Sequence, residues 1–270
     1  MEEDAFSAFE HQGWEHLAQS YHWYYADLTT QSIGLLLDVL GVGRETRFLD
    51  VASGPGYLAA AAAARGAYAV GVDFAAAMVE EATHLNPGLT FRVGSAEDLP
   101  FPDESFDAVG INFGMFHFSH PERALAEAFR VLRHGGRIAF TVWASRDKAV
   151  ALDIVLKAIE ACGKTDVGLP EGPPFFRFSD WAECERVLLE AGFVQPTVQE
   201  VNQTWSIRAP ETPFHALMRG GVRVAATLKA QTPVALALIE KTVSESAAAY
   251  EVDGEVRVPM PAVLASARRR

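Results

Sequence analysis

The sequence predicts a doubly wound α/β fold with a mostly parallel seven-stranded sheet, N-terminal helices and a helical insertion before the last strand. Three observations support this prediction. Short apolar segments alternate with helical segments, as in parallel sheets that are covered on both faces. A glycine loop follows the first apolar segment, and Asp73 ends the second. With 49% hydrophobic and 21% charged residues, the 270-residue chain has the balance of a globular protein.

The chain begins with helical periodicity. Apolar and aromatic residues recur at three-to-five-residue spacing over 6–40, which predicts two helices before the first strand. The first five strands are predicted at 47–52, 68–72, 89–93, 106–112 and 136–143. The intervening helices are predicted at 57–65, with Gly66 as the C-cap signal, and at 75–84 and 121–132.

The second half of the chain predicts a helix at 149–162, a loop at 167–176 and a helix at 180–191 capped by Ser179. A strand over 194–207, helical sequence over 212–250, a turn at 253–254 and a last strand over 255–267 follow. We therefore expect one domain over 1–270. It divides into a helical cap (1–45), a ligand-binding core (46–145) and a substrate-side half (146–270) with the insertion at about 211–250.

Charge and cysteine content exclude several classes of protein. The net charge of -12 repels nucleic acid, and the basic run 268–270 is interpreted as a solvated tail. Cys162 and Cys184 match no metal-ligand spacing, which predicts reduced thiols and no metal site. Residues 1–10 lack the features of a signal peptide, and no apolar run is long enough for a membrane span. We expect a cytoplasmic protein; the oligomeric state is not fixed, and a homodimer stays open.

The glycine loop predicts a ligand site. Residues 50–56 lie between a strand and a helix, where backbone amides point outward and missing side chains let a ligand approach. Asp73 follows Asp50 by 23 residues and ends the next strand, where a carboxylate can bind a ribose diol. Asp73 could also cap the helix that follows it.

The loop alone leaves two cofactors open. Ala59 occupies the third position of a G-x-G-x-x-G/A pattern that starts at Gly54, so a nicotinamide dinucleotide is a competitor. The acidic Asp50 beneath the loop suits a ligand with an ammonium group better than one with two phosphates.

Four segments together resemble the class I S-adenosylmethionine-dependent methyltransferases, in particular the ubiquinone/menaquinone-biosynthesis type. They are LDVASGPGY (49–57), VGVDF (70–74), GSAEDLPFPDESFDAV (94–109) and the segment 124–143, which contains EAFRVLRHGGRIAFTVW. In order and spacing they cover about a hundred residues, and the set is more specific than any one member. The resemblance implies S-adenosylmethionine as cofactor and a small-molecule methyl acceptor.

The resemblance also implies roles for single residues. The methionine end of the cofactor would lie along Asp50, Ala52, Ser53, Gly54 and Gly56. Asp73 would bind the ribose hydroxyls, and Phe74 would pack on adenine. The other expected cofactor residues are Ser95, Ala96 and Glu97 at the adenine edge, Asn112, Phe113 and Gly114 along the methionyl arm, and Met78 and Tyr21.

Three positions depart from the family pattern. Ser95 stands where the family commonly has an aspartate that accepts from the adenine amino group, which weakens that expected contact. Ala52 replaces the first glycine of the loop, and His134 replaces the usual proline before two glycines. The last two changes leave the assignment intact.

Two further hypotheses concern the acceptor side. Helices before the first strand cross the ligand edge in this fold, so Trp14, Tyr21, Trp23, Tyr24 and Tyr25 are candidates for a lid, or else ordinary packing. His117 is the candidate general base, needed only if the acceptor enters protonated; otherwise its ring would be bound by nearby backbone. An apolar or aromatic acceptor is expected from Phe113, Met115, Phe116, Phe118, Trp143, Phe175 and Phe176, which could equally be core.

Two alternative functions remain at this point. A nicotinamide-dependent oxidoreductase shares the loop and the acidic residue, but the sequence has no Tyr-x-x-x-Lys pair. A non-catalytic module that binds S-adenosylmethionine would retain the same loop. A nucleic-acid methyltransferase is disfavoured by the negative charge and by the lack of an Asn/Asp-Pro-Pro-aromatic motif.

Overall fold

The computed structural model describes residues 4–270, with Gln19 by its backbone alone. Within this range a seven-stranded sheet has the order β3-β2-β1-β4-β5-β10-β6, and β10 is antiparallel to both neighbours. The other neighbouring pairs are parallel. This confirms the predicted seven-stranded, mostly parallel sheet. Its strands are β1 (Arg47–Val51), β2 (Tyr68–Asp73), β3 (Thr90–Val93), β4 (Phe106–Asn112), β5 (Leu132–Trp143), β6 (Val194–Val201) and β10 (Ala262–Arg268).

The helices of the core cover both faces of the sheet, which is why the central strands are apolar on both sides. Phe48, Leu49 and Val51 of β1 are all buried. These helices are α4 (Tyr57–Ala64), α5 (Ala76–Leu85), α6 (Pro121–Val131), α7 (Val150–Cys162) and α8 (Trp181–Glu190).

Three helices precede β1, so the prediction of two was wrong. They are α1 (Ala5–Glu15), α2 (Ala18–Thr29) and α3 (Ile33–Leu40). Asp4 caps the first of them by accepting from the backbone N–H groups of Phe6 and Ser7. The predicted helical run breaks at His16 and Leu17, where the backbone N–H groups donate to the Gly13 and Trp14 carbonyls in tight turns at the end of α1.

The region predicted as helical over 212–250 contains α9 (Thr212–Gly220), α10 (Arg223–Lys229) and α11 (Pro233–Ala248). Proline stands in the first turn of α9 and of α11, where its missing N–H costs no hydrogen bond. Phe214, Leu228 and Ile239 belong to the same hydrophobic core as the sheet. The insertion before the last strand of the sheet is thus confirmed.

Two predicted strands are each divided between two sheets, which corrects the single strands expected at 194–207 and 255–267. A second sheet has the order β7-β9-β8, formed by β7 (Thr204–Ile207), β9 (Glu255–Pro259) and β8 (Glu251–Val252). The chain leaves the main sheet after Val201 and re-enters it at Ala262. The Met260 N–H donates to the Gln203 carbonyl at 3.0 Å, which joins the two crossing points.

Two smaller expectations were also wrong. The side chain of Asp180, not Ser179, caps α8 by accepting from the Ala182 N–H at 3.0 Å. The basic run at 268–270 is not a solvated tail, since Arg268 ends β10. The guanidinium of Arg269 binds the carbonyls of Arg130 and Leu132 and the Glu104 carboxylate, and it lies over the Phe129 ring.

Cys162 is half-buried, Cys184 is buried, and both are free thiols. Over residues 4–270, no helix has the length and apolar character that crossing a membrane requires. Residues 1–3 of the acidic N-terminal segment lie outside the described residues.

Candidate functional site

A cleft of about 920 Å³, open to solvent, lies at the carboxyl ends of β1, β2 and β4. This is the edge at which ligands bind in open α/β sheets. Its walls contain all the predicted cofactor residues except Gly56. The lining residues among them are Asp50, Ala52, Ser53, Gly54, Asp73, Phe74, Met78, Ser95, Ala96, Glu97, Asn112, Phe113, Gly114 and Tyr21.

Asp73 fixes the glycine loop. Its two carboxylate oxygens accept from the Gly54 N–H at 2.8 Å and the Ala75 N–H at 3.0 Å. The residue therefore anchors the loop and the start of α5 together, so the alternative capping role coexists with a position in the cleft wall. Burial raises the pKa of Asp73 to about 6, against the opposing effect of these hydrogen bonds.

Asp50 lies beneath the loop, at the floor of the cleft. The side chain is buried, and one oxygen accepts from the Ala59 N–H at 2.9 Å. Burial raises the pKa of Asp50 to about 8, and the negative charge of Asp73 adds to the shift. Two acidic groups thus lie at the ends of adjacent strands, both harder to ionise than in water.

The loop between Asp50 and α4 has an unusual backbone. Ala52 has a φ of +53°, a left-handed conformation that is strained for a residue with a side chain. The buried hydroxyl of Ser53 has no hydrogen-bond partner among the described residues, although it lines the cleft. Gly54, with a φ of +49°, would direct a side chain into open space.

Gly56 serves packing instead. Its φ is +82°, and an added Cβ would lie 2.5 Å from the Phe91 ring of β3. Gly56 does not line the cleft, and its contact with the cofactor stays a prediction. Only glycine allows α4 and β3 to approach this closely.

The opposite end of the cleft is formed by residues that follow β2 and β3. The Phe74 ring packs on His11 with ring centroids 5.2 Å apart, and Met78 is buried beside the cleft. The Ser95 hydroxyl accepts from the Glu97 N–H at 3.1 Å. A carboxylate oxygen of Glu97 accepts from the His120 N–H at 2.9 Å.

Asn112 lines the cleft, but its amide group is already bound. The side-chain oxygen accepts from the Ser32 and Thr141 hydroxyls at 3.0 and 2.7 Å, and the amide nitrogen donates to the Thr29 carbonyl. The residue therefore joins α2 and α3 to the sheet. Phe113 follows with a φ of +59°, and its ring packs on Trp143 at 4.1 Å.

The N-terminal helices close one side of the cleft, as the lid hypothesis expects for Trp14 and Tyr21, which both line it. Glu15 accepts from the backbone N–H groups of Ala76 and Ala77, so α1 caps α5. Tyr25 is buried away from the cleft and stacks on Trp205, while Trp23 is 81% exposed. Trp23 is therefore not part of a lid.

A second, more apolar cavity of about 650 Å³, which is likewise open to solvent, adjoins the cleft. Four residues line both spaces: Trp14, Tyr21, Phe113 and His117. Of the residues expected for an apolar acceptor, Phe113, Phe116, Trp143 and Phe175 line the second cavity, and Phe118 lines the cleft. Met115 is core, and Phe176 lines neither space.

His117 lies at the junction of the two cavities. Its Nδ1 is 2.8 Å from a carboxylate oxygen of the buried Glu10, so the expected backbone partner is wrong. Sequence reasoning missed both Glu10 and Arg223, whose guanidinium also binds Glu10. A glutamate in an amphipathic helix 107 residues before His117 gives no signal of a buried role.

Comparison with known proteins supports an assignment for the core. A family model described as a methyltransferase domain matches residues 49–140. Demethylmenaquinone methyltransferase of Renibacterium salmoninarum is 39% identical over 104 residues, which are 38% of this chain and 44% of that relative. The chain thus spans less than half the length of this relative.

Two solved structures share the fold. The YcgJ protein of Bacillus subtilis has a TM-score of 0.54 at 22% identity, covering 88% of this chain and 98% of that one. Phosphoethanolamine N-methyltransferase 2 of Haemonchus contortus, solved with S-adenosylhomocysteine, has a TM-score of 0.60 at 16% identity, covering 99% and 61%. At these identities the likeness concerns the fold alone. The family match confirms the resemblance over the core: residues 49–140 match a methyltransferase domain and are similar in sequence to demethylmenaquinone methyltransferases.

Proposed function

We propose that this chain transfers the methyl group of S-adenosylmethionine to a small apolar or aromatic acceptor. The observation that supports this proposal most directly is that two different binding spaces lie side by side. A cleft with two carboxylates and a glycine loop adjoins an apolar cavity, and four side chains line both. This arrangement suits a charged nucleoside on one side and an apolar partner on the other.

The residues of the cleft fit the cofactor. The unpartnered Ser53 hydroxyl and the open space above Gly54 leave room and a polar partner for the methionine end. Asp50 would bind the ammonium group, and Asp73 would accept from the ribose hydroxyls while it holds the loop. Phe74 and Met78 would pack on adenine, with Ser95, Ala96 and Glu97 at its edge.

The apolar cavity suits the acceptor. Its walls include Phe116, Trp143 and Trp205. The buried hydroxyl of Tyr25, also in this wall, has no hydrogen-bond partner among the described residues. An acceptor with an apolar body and one polar group would satisfy it.

When bound, the cofactor supplies an activated methyl group on a positively charged sulfur. The chain then has to hold the acceptor at about 3 Å from the methyl carbon and in line with the breaking bond. Trp14, Tyr21 and Phe113 line both spaces at the junction where the two molecules would meet, and with both bound their rings would exclude water from it. A poorly solvated nucleophile reacts faster, because less water has to leave it.

The first test is calorimetry of the full chain with S-adenosylhomocysteine and, in parallel, with NAD⁺. Binding of S-adenosylhomocysteine without binding of NAD⁺ supports the proposal, and a preference for NAD⁺ contradicts it. Incubation with methyl-labelled S-adenosylmethionine and a panel of phenols, quinols and amines then separates an enzyme from a non-catalytic binding module. Preference for polar amines would contradict the apolar acceptor.

Two loop variants should separate ligand contact from packing. Both Gly54→Ala and Gly56→Ala put a side chain on left-handed backbone, at a cost of about 1 to 2 kcal/mol. Gly56→Ala also overlaps Phe91 and should cost about 1 to 3 kcal/mol more in the free energy of unfolding. Gly54→Ala should instead weaken S-adenosylhomocysteine by about tenfold, roughly 1.4 kcal/mol.

Urea unfolding and calorimetry of the two variants give these quantities side by side. The glycine assignments are wrong if Gly54→Ala is the less stable protein, or if Gly56→Ala alone loses affinity while remaining folded.

A further inference from the structure

A buried carboxylate lies behind His117. Glu10 of α1 accepts from three side chains: His117 Nδ1 at 2.8 Å, Arg223 Nε at 2.9 Å and Trp14 Nε1 at 3.2 Å. The Glu10 side chain is 0% exposed. An acidic group in such a place is retained only where cations and donors compensate for the lost water.

The charge of Glu10 is maintained by its neighbours. Burial alone would raise the pKa of Glu10, but the charges of His117 and Arg223 and their hydrogen bonds outweigh it and hold the pKa below its usual value. An ionised carboxylate only accepts hydrogen bonds. The Nδ1 atom that faces this carboxylate must therefore carry a hydrogen in the protonated ring and in the neutral ring alike, so the neutral ring has Nε2 as its basic nitrogen.

Arg223 holds this arrangement together from α10. Its guanidinium donates to Glu10, to the Pro173 carbonyl at 2.8 Å and to the Phe116 carbonyl, and it lies over the Phe6 ring. One side chain thus links α1, the 167–176 loop and the short 3₁₀ helix Met115–His117, which carries the imidazole. The helical insertion is thereby tied to the junction of the two cavities.

The imidazole has few ways to move. Its ring meets Trp14 edge-on at 4.9 Å and packs against Phe116 at 4.4 Å. The charged groups that act on it are Glu10 from α1, Arg223 through Glu10, and Asp73 at the end of β2. Nε2 has no hydrogen-bond partner among the described residues, and a histidine held by a carboxylate at one nitrogen and unbound at the other is the arrangement of a general base.

We propose that Glu10 is a positioning residue for His117, and that the pair ionises a ring hydroxyl of an aromatic acceptor bound in the second cavity. This inference rests on the proposed function and names its substrate class. It adds a carboxylate partner and a requirement for an ionisable O–H group.

The proton balance is simple. The acceptor O–H bond breaks and its proton moves to Nε2 of His117, which leaves a phenolate. An electron pair of that oxygen forms the bond to the methyl carbon, and the pair of the breaking carbon–sulfur bond stays on sulfur. If a ring carbon forms the bond instead, that carbon loses its hydrogen as a proton and the hydroxyl is restored. In both cases one proton leaves with the two neutral products.

The test uses two acceptors of different acidity, 2-naphthol and 4-nitrophenol, at about pH 8, where only the second is largely ionised. A base matters only for an acceptor that enters protonated. His117→Asn should therefore lower kcat for 2-naphthol about 100-fold or more, and for 4-nitrophenol only a few-fold. Glu10→Gln should lower kcat for 2-naphthol about tenfold and leave kcat for 4-nitrophenol nearly unchanged.

Glu160→Gln is the matched control, since it removes an exposed carboxylate that binds Arg146 far from both cavities. It should leave both rates unchanged. Calorimetry with S-adenosylhomocysteine shows whether each variant keeps its cofactor site. If Glu10→Gln does not fold, nitrogen NMR of the wild-type His117 ring replaces it: a hydrogen on Nδ1 supports the pair, and one on Nε2 overturns it.

The outcomes separate the two proposals. Absence of S-adenosylhomocysteine binding by the wild type would overturn the methyltransferase itself. If the wild type binds S-adenosylhomocysteine but methylates neither phenol, the proposed class of acceptor is wrong. If His117→Asn lowers kcat equally for both acceptors, His117 is not a base. The proposal of methyl transfer is unaffected by that result.

Discussion

Asp73→Asn should weaken S-adenosylhomocysteine binding by about 100-fold, close to 2.7 kcal/mol. The two oxygens of Asp73 accept from the Gly54 and Ala75 N–H groups. An amide has one accepting oxygen, so its NH₂ group would face one of these donors. The loop loses an anchor, and the ribose loses a charged acceptor worth about 1.5 to 3 kcal/mol. Calorimetry at about pH 8, where Asp73 is ionised, measures the loss.

Asp107→Asn is the control for this change. Asp107 also accepts a backbone hydrogen bond beside β1, from the Arg47 N–H at 2.9 Å, but it lies at the start of β4, at the opposite edge of the sheet. Its variant should bind the ligand as the wild type does. Equal loss in both variants would mean that the effect arises from general destabilisation and not from the cleft.

The fold was predictable where the pattern was local. The strand Phe106–Asn112 has the predicted bounds, because a buried strand between a proline-bounded turn and a glycine has few alternatives. The division of 255–267 had a local signal that the prediction overlooked, since Pro259 and Pro261 interrupt the β pattern where β9 ends and β10 begins. The division of 194–207 depends on tertiary structure, because the Gln203 carbonyl accepts from the Met260 N–H at the crossing point.

The candidate site was likewise predictable where strand ends place its residues, and not where tertiary packing does. The loop, Asp50 and Asp73 are fixed by strand ends, so their sequence positions already placed them together. The junction of the cavities depends instead on three elements far apart in sequence: α1, the segment after β4, and α10. Glu10 and Arg223 looked like ordinary surface charges on helices, and only tertiary packing buries Glu10.

The N-terminal helices explain why the two halves of the site belong together. Glu15 caps α5 beside Asp73, and Glu10, one helical turn and a half earlier, binds His117. A displacement of α1 would therefore alter both the adenosine side and the acceptor side. In the proposed reaction, α1 would thus couple cofactor binding to the position of His117, since this one helix contacts both parts of the site.

Asp50→Asn should make the ligand-free protein more stable and the binding weaker. Burial raises the pKa of Asp50 to about 8 from a usual value near 4. Between these values the folded chain keeps a proton that the unfolded chain has released. The contribution to the free energy of unfolding is complete below about pH 4 and falls by up to about 1.4 kcal/mol per pH unit until pH passes 8.

Asparagine never ionises, and its oxygen can still accept from the Ala59 N–H. The variant should therefore unfold at a higher temperature than the wild type at pH 9, and the difference should shrink as the pH is lowered towards 5. Asp38→Asn, which removes an exposed carboxylate paired with Arg65, should show no such trend.

Binding should change in the opposite direction. An ammonium group beside Asp50 favours the ionised carboxyl, so wild-type binding of S-adenosylhomocysteine near pH 7 should release a proton, seen in calorimetry as a dependence on the buffer's ionisation enthalpy. The variant should lose this release and about tenfold in affinity, roughly 1.4 kcal/mol. A variant less stable than the wild type at pH 9, or one that still releases the proton, would show that Asp50 is a structural acceptor for α4 and not a charge kept for the ligand.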